Sequence, residues 1–474
     1  MPNLAMPGDP RYQPKSLQRY FGYDALVAYQ IDVELATLRA LTSRGVIPPS
    51  EYALLTPAVV EALYGITTTE VDAEERVTKH DIRALVNCMK RRMPGPLQRW
   101  VHVPLTSYDV IDTARVRMYR AAHTDVVRPL FKKLVASLQA HARRYARMSQ
   151  IGRTHGQHAL PITVGFWLAT ILNRLCHCAA QADAKAEALC GKISGPVGAH
   201  NAQAALGLCG PSVVSFEDEV LSRLGLSAAP ISTQIVPPEP LAEYLFSCVL
   251  VSAVLGQLGR DCRHLMRTEI GEISEPFANT QTGSSTMAHK RNPITFENGE
   301  GMWHSQKWDF GKVLETLVSE HQRDLVGSSV ARSLPAIVVR LVYQLERLLA
   351  VTAENPTPFI ERVVPDPDAC ARNLALQGDL VLAEPLYIAL QMGGYPGDAH
   401  HLVNHTVVEL AKQYQMPLLD AVRAVCRSDV AVAEAWRRVP DELKAVLRQE
   451  QPYIGIATER THQICDAAAA YLGS

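Results

Sequence analysis

The sequence predicts an all-α protein: a long central helical bundle flanked by two smaller helical domains. Three observations carry this. From Asp109 to Met148 there is no glycine and a single proline, Pro129, so the stretch is expected as one long helix with a kink at most. Further stretches rich in Leu, Ala, Val and Arg run over 164–189, 240–267, 298–320 and 334–353. Between them lie short loops bearing Gly and Pro, at 152–161, 194–200 and 232–240. Helices this long, apolar on more than one face, need neighbours beyond their own chain, and the bundle is expected to oligomerise.

The elements divide into three domains. Residues 1–108 form an N-terminal helical domain, with a boundary near Thr106 to Asp109. Residues 109–363 form the bundle. The segment from Glu354 to Ala369 carries four prolines and marks the passage to a C-terminal helical domain, 364–474. No internal repeat points to a solenoid. The most apolar stretch, Leu241 to Leu258, has the length of a membrane span, but Glu243, Gln257 and Arg260 fit a helix buried in protein.

Lys plus Arg number 47 against 48 Asp plus Glu, so bulk charge favours neither nucleic acid nor a membrane surface as partner, and any anion site must be local. The first fifteen residues lack the basic-then-apolar pattern of a secretory signal. Ten scattered cysteines suit a reducing, cytoplasmic setting. The triplet Cys176, His177, Cys178 lacks the second, distant pair that a zinc site recruits, and no metal is expected there.

The segment TGSSTMAHKRNPITFENGEG, Thr282 to Gly301, is the most informative. It places hydroxyl, ammonium and amide groups of Ser284, Ser285, Lys290 and Asn292 on one loop, a set suited to a developing carboxylate-like anion. Alone, these would read as a solvated loop. The segment resembles the GSS-x-M-P-x-K-x-N signature of the fumarase/aspartase superfamily, with Ala288 where the family has proline, a change expected to loosen the loop before it closes. LTSYDVIDTA, Leu105 to Ala114, is similar to the first signature region, with Thr106 and Ser107 as donors to a substrate carboxylate. GRTHGQHALPIT, Gly152 to Thr163, is similar to the second, with Thr154 and His155 matching its polar core.

Within that superfamily the chain resembles the adenylosuccinate lyase family. His80 and Asp81 in TKHDI, Arg11 and Tyr12, Gln234 in STQ, and Arg323, Ser328, Ser329 and Arg332 in HQRDLVGSSVAR match residues that the family sets around a succinylated nucleotide. Each taken singly carries little; their joint order from residue 11 to about 332 carries the resemblance. It implies a purine-biosynthetic, carbon–nitrogen lyase with no cofactor and no metal, acting as a homotetramer whose subunits share active sites. It also implies Ser284 as general base and His155 as general acid. Glu297 would pair with that histidine, or else simply occupy a favourable helix N-terminal position. QHALPIT and HKRNP also resemble carboxymuconate cycloisomerases, so a sister lyase on another substituted succinate, such as nitrosuccinate, stays open. A silent structural paralogue is a third possibility, against which the joint retention of Ser284, Lys290, Asn292 and His155 stands.

Overall fold

The structure, a computed structural model, describes residues 9–210, 215–277, 286–287, 289–449 and 452–473. It is 66% helical, in line with the all-α expectation. The chain divides into two compact units. The first comprises Met1–Lys133, His177–Gly256 and Asn298–Leu348, and the second Leu134–Cys176, Gln257–Glu297 and Leu349–Ser474.

The long helices form where apolar residues recur with no proline beyond the first turn: Val164–Glu187, Glu239–Leu265, Ile294–Glu315 and Pro335–Leu348. The third starts and ends about one turn before the 298–320 expected from sequence, because it winds directly from Pro293, whose carbonyl accepts the Glu297 N–H at 2.9 Å. By length and composition Glu239–Leu265 could cross a membrane, yet 67% of its most apolar window is buried inside the protein.

The stretch expected as one helix from Asp109 is α-helical over Ser107–Ala122 and Arg128–Arg144, with a π-helical turn, His123–Val127, between them. Pro129 is the cause. It has no N–H to offer, and its ring crowds the carbonyl four residues back; a wider turn, in which the Arg128 N–H bonds to the His123 carbonyl, relieves that crowding.

In the first unit, helix Ala25–Ser43 packs on Ser107–Ala122 and buries Ile31, Leu38 and Leu41 completely. Each such side chain contributes roughly 1.5–3 kcal/mol of burial. Gln344 knots three long helices together. Its amide oxygen accepts from Ser252 Oγ at 2.7 Å and Gln306 Nε2 at 3.1 Å, and its nitrogen donates to the Gly299 carbonyl at 2.6 Å. A buried amide bonded on both its oxygen and its nitrogen fixes the register of the helices it joins.

The second unit holds a departure from the sequence reading. The 152–161 segment, expected as a loop, is part of an antiparallel hairpin of β1, Ser149–Thr154, and β2, Gln157–Thr163. Helix Pro367–Ala375 packs against β1. The C-terminal helices close on their own core, shown most plainly by Leu418–Ser428, which buries Leu418, Ala421, Val422 and Val425 at the i, i+3, i+4, i+7 spacing of one helical face.

Candidate active site

In the first unit, the residues matched to nucleotide contacts form a connected group. Lys79 adopts the left-handed conformation that ends helix Thr68–Thr78, and the chain turns so that His80 becomes the N-cap of Asp81–Arg92. His80 Nδ1 accepts the Arg83 N–H at 3.3 Å, which leaves the proton of the neutral ring on Nε2, 3.2 Å from Ser107 Oγ. Asp81 lies 3.9 Å from the Arg332 guanidinium, and Arg332 donates to Ser328 Oγ at 3.0 Å. Ser107, His80, Asp81, Arg332 and Ser328 are thus contiguous. Arg332 is 60% exposed. Ser329 is exposed on the same short helix, Ser328–Ala331.

Tyr108, which sequence reasoning passed over, joins Arg323 to this group. The Arg323 guanidinium lies 3.9 Å above the Tyr108 ring and donates to its hydroxyl, while its buried Nε has no partner among the described residues. The Gln234 N–H donates to the Gln322 carbonyl at 3.4 Å, which draws the 232–234 loop to the same segment. A cavity of about 260 Å³ opens here, lined by Tyr108, Asp112, Arg115, Arg323, Ser328 and Arg332 and by apolar side chains including Phe21, Leu26 and Tyr119. Burial raises the Asp112 carboxyl above the usual carboxylate range, against the opposing pull of Arg115 and of the Val236 N–H at 3.1 Å.

Arg11 and Tyr12 reach a different stretch of the unit. Tyr12 packs edge-on against Tyr343 at 5.3 Å, and Arg11 faces the same tyrosine. Tyr343 stands roughly 12 Å along helix Pro335–Leu348 from its start.

In the second unit, His155 and Gly156 form the two-residue turn of the hairpin, with φ of 53° and 77°. Positive φ at both positions is the mirror-image turn that matches strand twist, and glycine at the second makes it accessible. His155 and Thr154 are exposed at this tip. A bulge between Ile151 and Arg153 falls at Gly152, where a Cβ would come within 2.8 Å of the Leu160 carbonyl. Arg153 anchors the hairpin to fully buried Glu272, which also accepts from Gln150 Nε2 at 2.7 Å and Asn373 Nδ2 at 2.9 Å. Across from Arg153, burial lowers the pKa of His158, helped by Arg153, and its buried Nδ1 has no partner among the described residues.

Ser284, Ser285 and Ala288 lie outside the described residues. Of the signature segment that is described, Lys290 is exposed and its N–H bonds to the Met287 carbonyl at 3.1 Å, and the Asn292 carbonyl accepts from the Ile294 N–H at 2.9 Å. Glu297 sits in the first turn of Ile294–Glu315, half exposed, with Arg263 at 3.9 Å. Beneath it, buried Glu275 accepts the Phe296 N–H at 2.9 Å and caps the same helix. Burial pushes the Glu275 carboxyl up to about 6, although the backbone N–H groups of Phe296 and Thr295 favour its ionised form. No signal in the sequence marked Glu275; the one local hint of the hairpin is the His155-Gly156 pair at its tip.

Comparison with known proteins adds to this geometry. An adenylosuccinate lyase of Archaeoglobus fulgidus is 32% identical over 466 residues, 97% of this chain and 98% of its own. An N-acetyl-S-(2-succino)cysteine lyase of Dickeya dadantii is 32% identical over 379 residues, 79% of each chain. The crystal structure of a 3-carboxy-cis,cis-muconate lactonizing enzyme from Pseudomonas putida superposes with a TM-score of 0.80 at 25% identity, covering 98% of this chain and all of that one. Residues 13–305, more than half of the chain, match the protein family described as lyase. The signature segments, the helical fold and this match together place the chain in that lyase family, within the fumarase/aspartase superfamily.

Proposed function

We propose that the protein eliminates fumarate from adenylosuccinate to leave AMP, and acts in the same way on the succinyl-carboxamide ribotide of purine biosynthesis. The observation that carries this is the similarity to the Archaeoglobus adenylosuccinate lyase along almost the whole of both chains. The closeness of Arg332 and Ser328, with Asp81 beside them and His80 linked to Ser107, supports it, since a nucleotide phosphate needs donors held close together.

The chemistry requires a weakly acidic proton to leave the carbon beside a carboxylate. Ser284 takes that proton, and Lys290 and Asn292, with Ser285, hold the carboxylate whose charge grows as the carbanion forms. The electron pair becomes the double bond of fumarate as the carbon–nitrogen bond breaks. His155 gives its proton to the departing amine, a role suited to imidazole because its ordinary pKa lies near working pH. Thr106, Ser107, Thr154 and Gln234 hold the succinyl half. Arg323, Ser328, Ser329 and Arg332, with His80 and Asp81, hold the nucleotide, and Arg11 and Tyr12 add phosphate contacts from another subunit. Glu297 pairs with His155 in the assembled site. On this reading the enzyme is a cytoplasmic homotetramer with shared sites, which accounts for apolar surface at Trp308, Val318 and Val326, each at least 77% exposed in the single chain.

An absorbance assay with adenylosuccinate tests the proposal. The parent should turn over, and Ser284→Ala and His155→Ala should each lose about 10²- to 10⁴-fold in kcat. No consumption of adenylosuccinate would leave the second reading, a lyase for another substituted succinate. The similarity to the Dickeya enzyme favours that alternative, and N-acetyl-S-(2-succino)cysteine is the substrate to try.

A further inference from the structure

Behind Thr106 lies a fully buried ion pair that the mechanism above does not use. The side chains of Lys192 and Asp109 are both sealed from solvent, and the Lys192 ammonium donates to Asp109 Oδ1. Asp109 also accepts the Thr106 N–H at 2.8 Å and the Gly195 N–H at 3.2 Å. Lys192 donates a second time, to the Gly195 carbonyl at 3.1 Å, and its own backbone N–H and carbonyl both bond to Thr113 Oγ1. Two residues on from Lys192, Ser194 Oγ meets Ser232 Oγ at 2.6 Å. Gly198 lies so close beneath the Ser232 carbonyl that a Cβ there would come within 1.9 Å of it. A continuous set of bonds therefore runs from Thr106 through Asp109, Lys192 and Ser194 to the loop that carries Gln234.

We propose that Lys192 is a positioning residue: it fixes the spacing between Thr106 and the 232–234 loop, and so sets affinity for the succinyl half of the substrate and leaves the nucleotide half unaffected. A buried ion pair adds little net stability over well-packed apolar side chains, because desolvating both charges costs several kcal/mol. What it supplies here is direction, since both partners bond to Gly195 while Asp109 alone also holds the Thr106 N–H. The other charged groups facing this loop reinforce it from the far side. Glu217 accepts the Ile193 N–H at 2.6 Å and lies 3.5 Å from His200. The contacts among Asp81, Arg332 and Ser328 involve none of these bonds.

The inference rests on the adenylosuccinate reading, and product inhibition separates the two. Inhibition constants for fumarate and for AMP are measured in the parent, Lys192→Met, Asp109→Asn and Ser232→Ala. Lys192→Met should raise the fumarate constant about 10-fold with AMP changed by less than about twofold, the loss of one charge-assisted contact. Asp109→Asn, which still accepts the Thr106 N–H, should move fumarate in the same direction. Ser232→Ala removes a single partly exposed hydroxyl and will fold even if Lys192→Met does not; it should raise the fumarate constant about threefold and leave AMP alone. Both constants rising together, or neither moving in folded variants, overturns the role of Lys192. A parent inert toward adenylosuccinate overturns the substrate reading instead.

Discussion

Arg153 grips the buried carboxylate of Glu272 with both terminal nitrogens, Nη2 to Oε1 at 2.6 Å and Nη1 to Oε2 at 3.0 Å, two residues before the hairpin tip at His155. Since Glu272 is also bonded by Gln150 and Asn373, the hairpin cannot shift without breaking a satisfied buried network.

Arg153→Met should therefore do two things. It leaves Glu272 buried without its cation, at a cost of about 3–5 kcal/mol. It also frees the tip to wander, and a displacement of about 1 Å in a catalytic group is worth roughly 10²-fold in rate. Thermal melting and kcat for adenylosuccinate read these separately. A folded variant with undiminished kcat would show that His155 takes its place without help from the Arg153 anchor.

Arg332 offers a test of the nucleotide half. Removing its charge with Arg332→Gln should raise KM for adenylosuccinate by about 10-fold or more, the value of a charged hydrogen bond, with little change in the fumarate inhibition constant. Arg19→Gln, a 70% exposed arginine paired with Asp125, is the control and should be silent. If both variants behave alike, phosphate is not bound at Arg332.

Tyr108→Phe removes the acceptor that holds Arg323 in the cavity wall while keeping the ring beneath it. Arg323 already carries one buried N–H without a partner, so a second unmet donor should cost about 1–3 kcal/mol of stability or be relieved by Arg323 swinging out. Either way KM rises; an unchanged Tm together with an unchanged KM would show the contact to be idle.

Helix content was legible because Val164–Glu187 and Glu239–Leu265 are long stretches rich in Leu, Ala and Val, and Pro129 announced its kink, though not that the kink would be a π-turn. The hairpin was not legible as such: its strands are short, polar residues fill both, and Pro161 counts against a strand. Motif order located His80, Asp81, Ser107, Ser328 and Arg332, which do meet. The groups that brace other parts of the chain were out of reach of motif reading: Glu272 behind the hairpin, Lys192 and Asp109 behind Thr106, and Glu275 at the start of helix Ile294–Glu315. Their role is burial plus partners far along the chain, and a lone charged residue in a helical stretch looks the same whether it faces solvent or the core.

Glu275 yields a prediction in pH. Its carboxyl sits at about 6, raised by burial and further by Glu297, against the favourable pull of the Phe296 and Thr295 N–H groups; the Cys262 thiol is its other titratable neighbour. A folded-state value above the unfolded one means that the folded protein binds this proton more tightly. The resulting stabilisation is complete below the unfolded value, about 4.3, and is lost as pH rises through about 6. Glu275→Gln can still accept the Phe296 N–H and cannot ionise. The parent should thus lose melting temperature relative to Glu275→Gln between pH 4.5 and 6.5, on the order of a few degrees, and above pH 7 the two curves should run parallel. Because this carboxylate caps the helix that begins with Ile294 and carries Glu297, kcat of the variant should also lose any inflection near pH 6 that the parent shows. Curves that run parallel across the whole range would mean that Glu275 stays ionised, with its helix-capping bonds outweighing its burial.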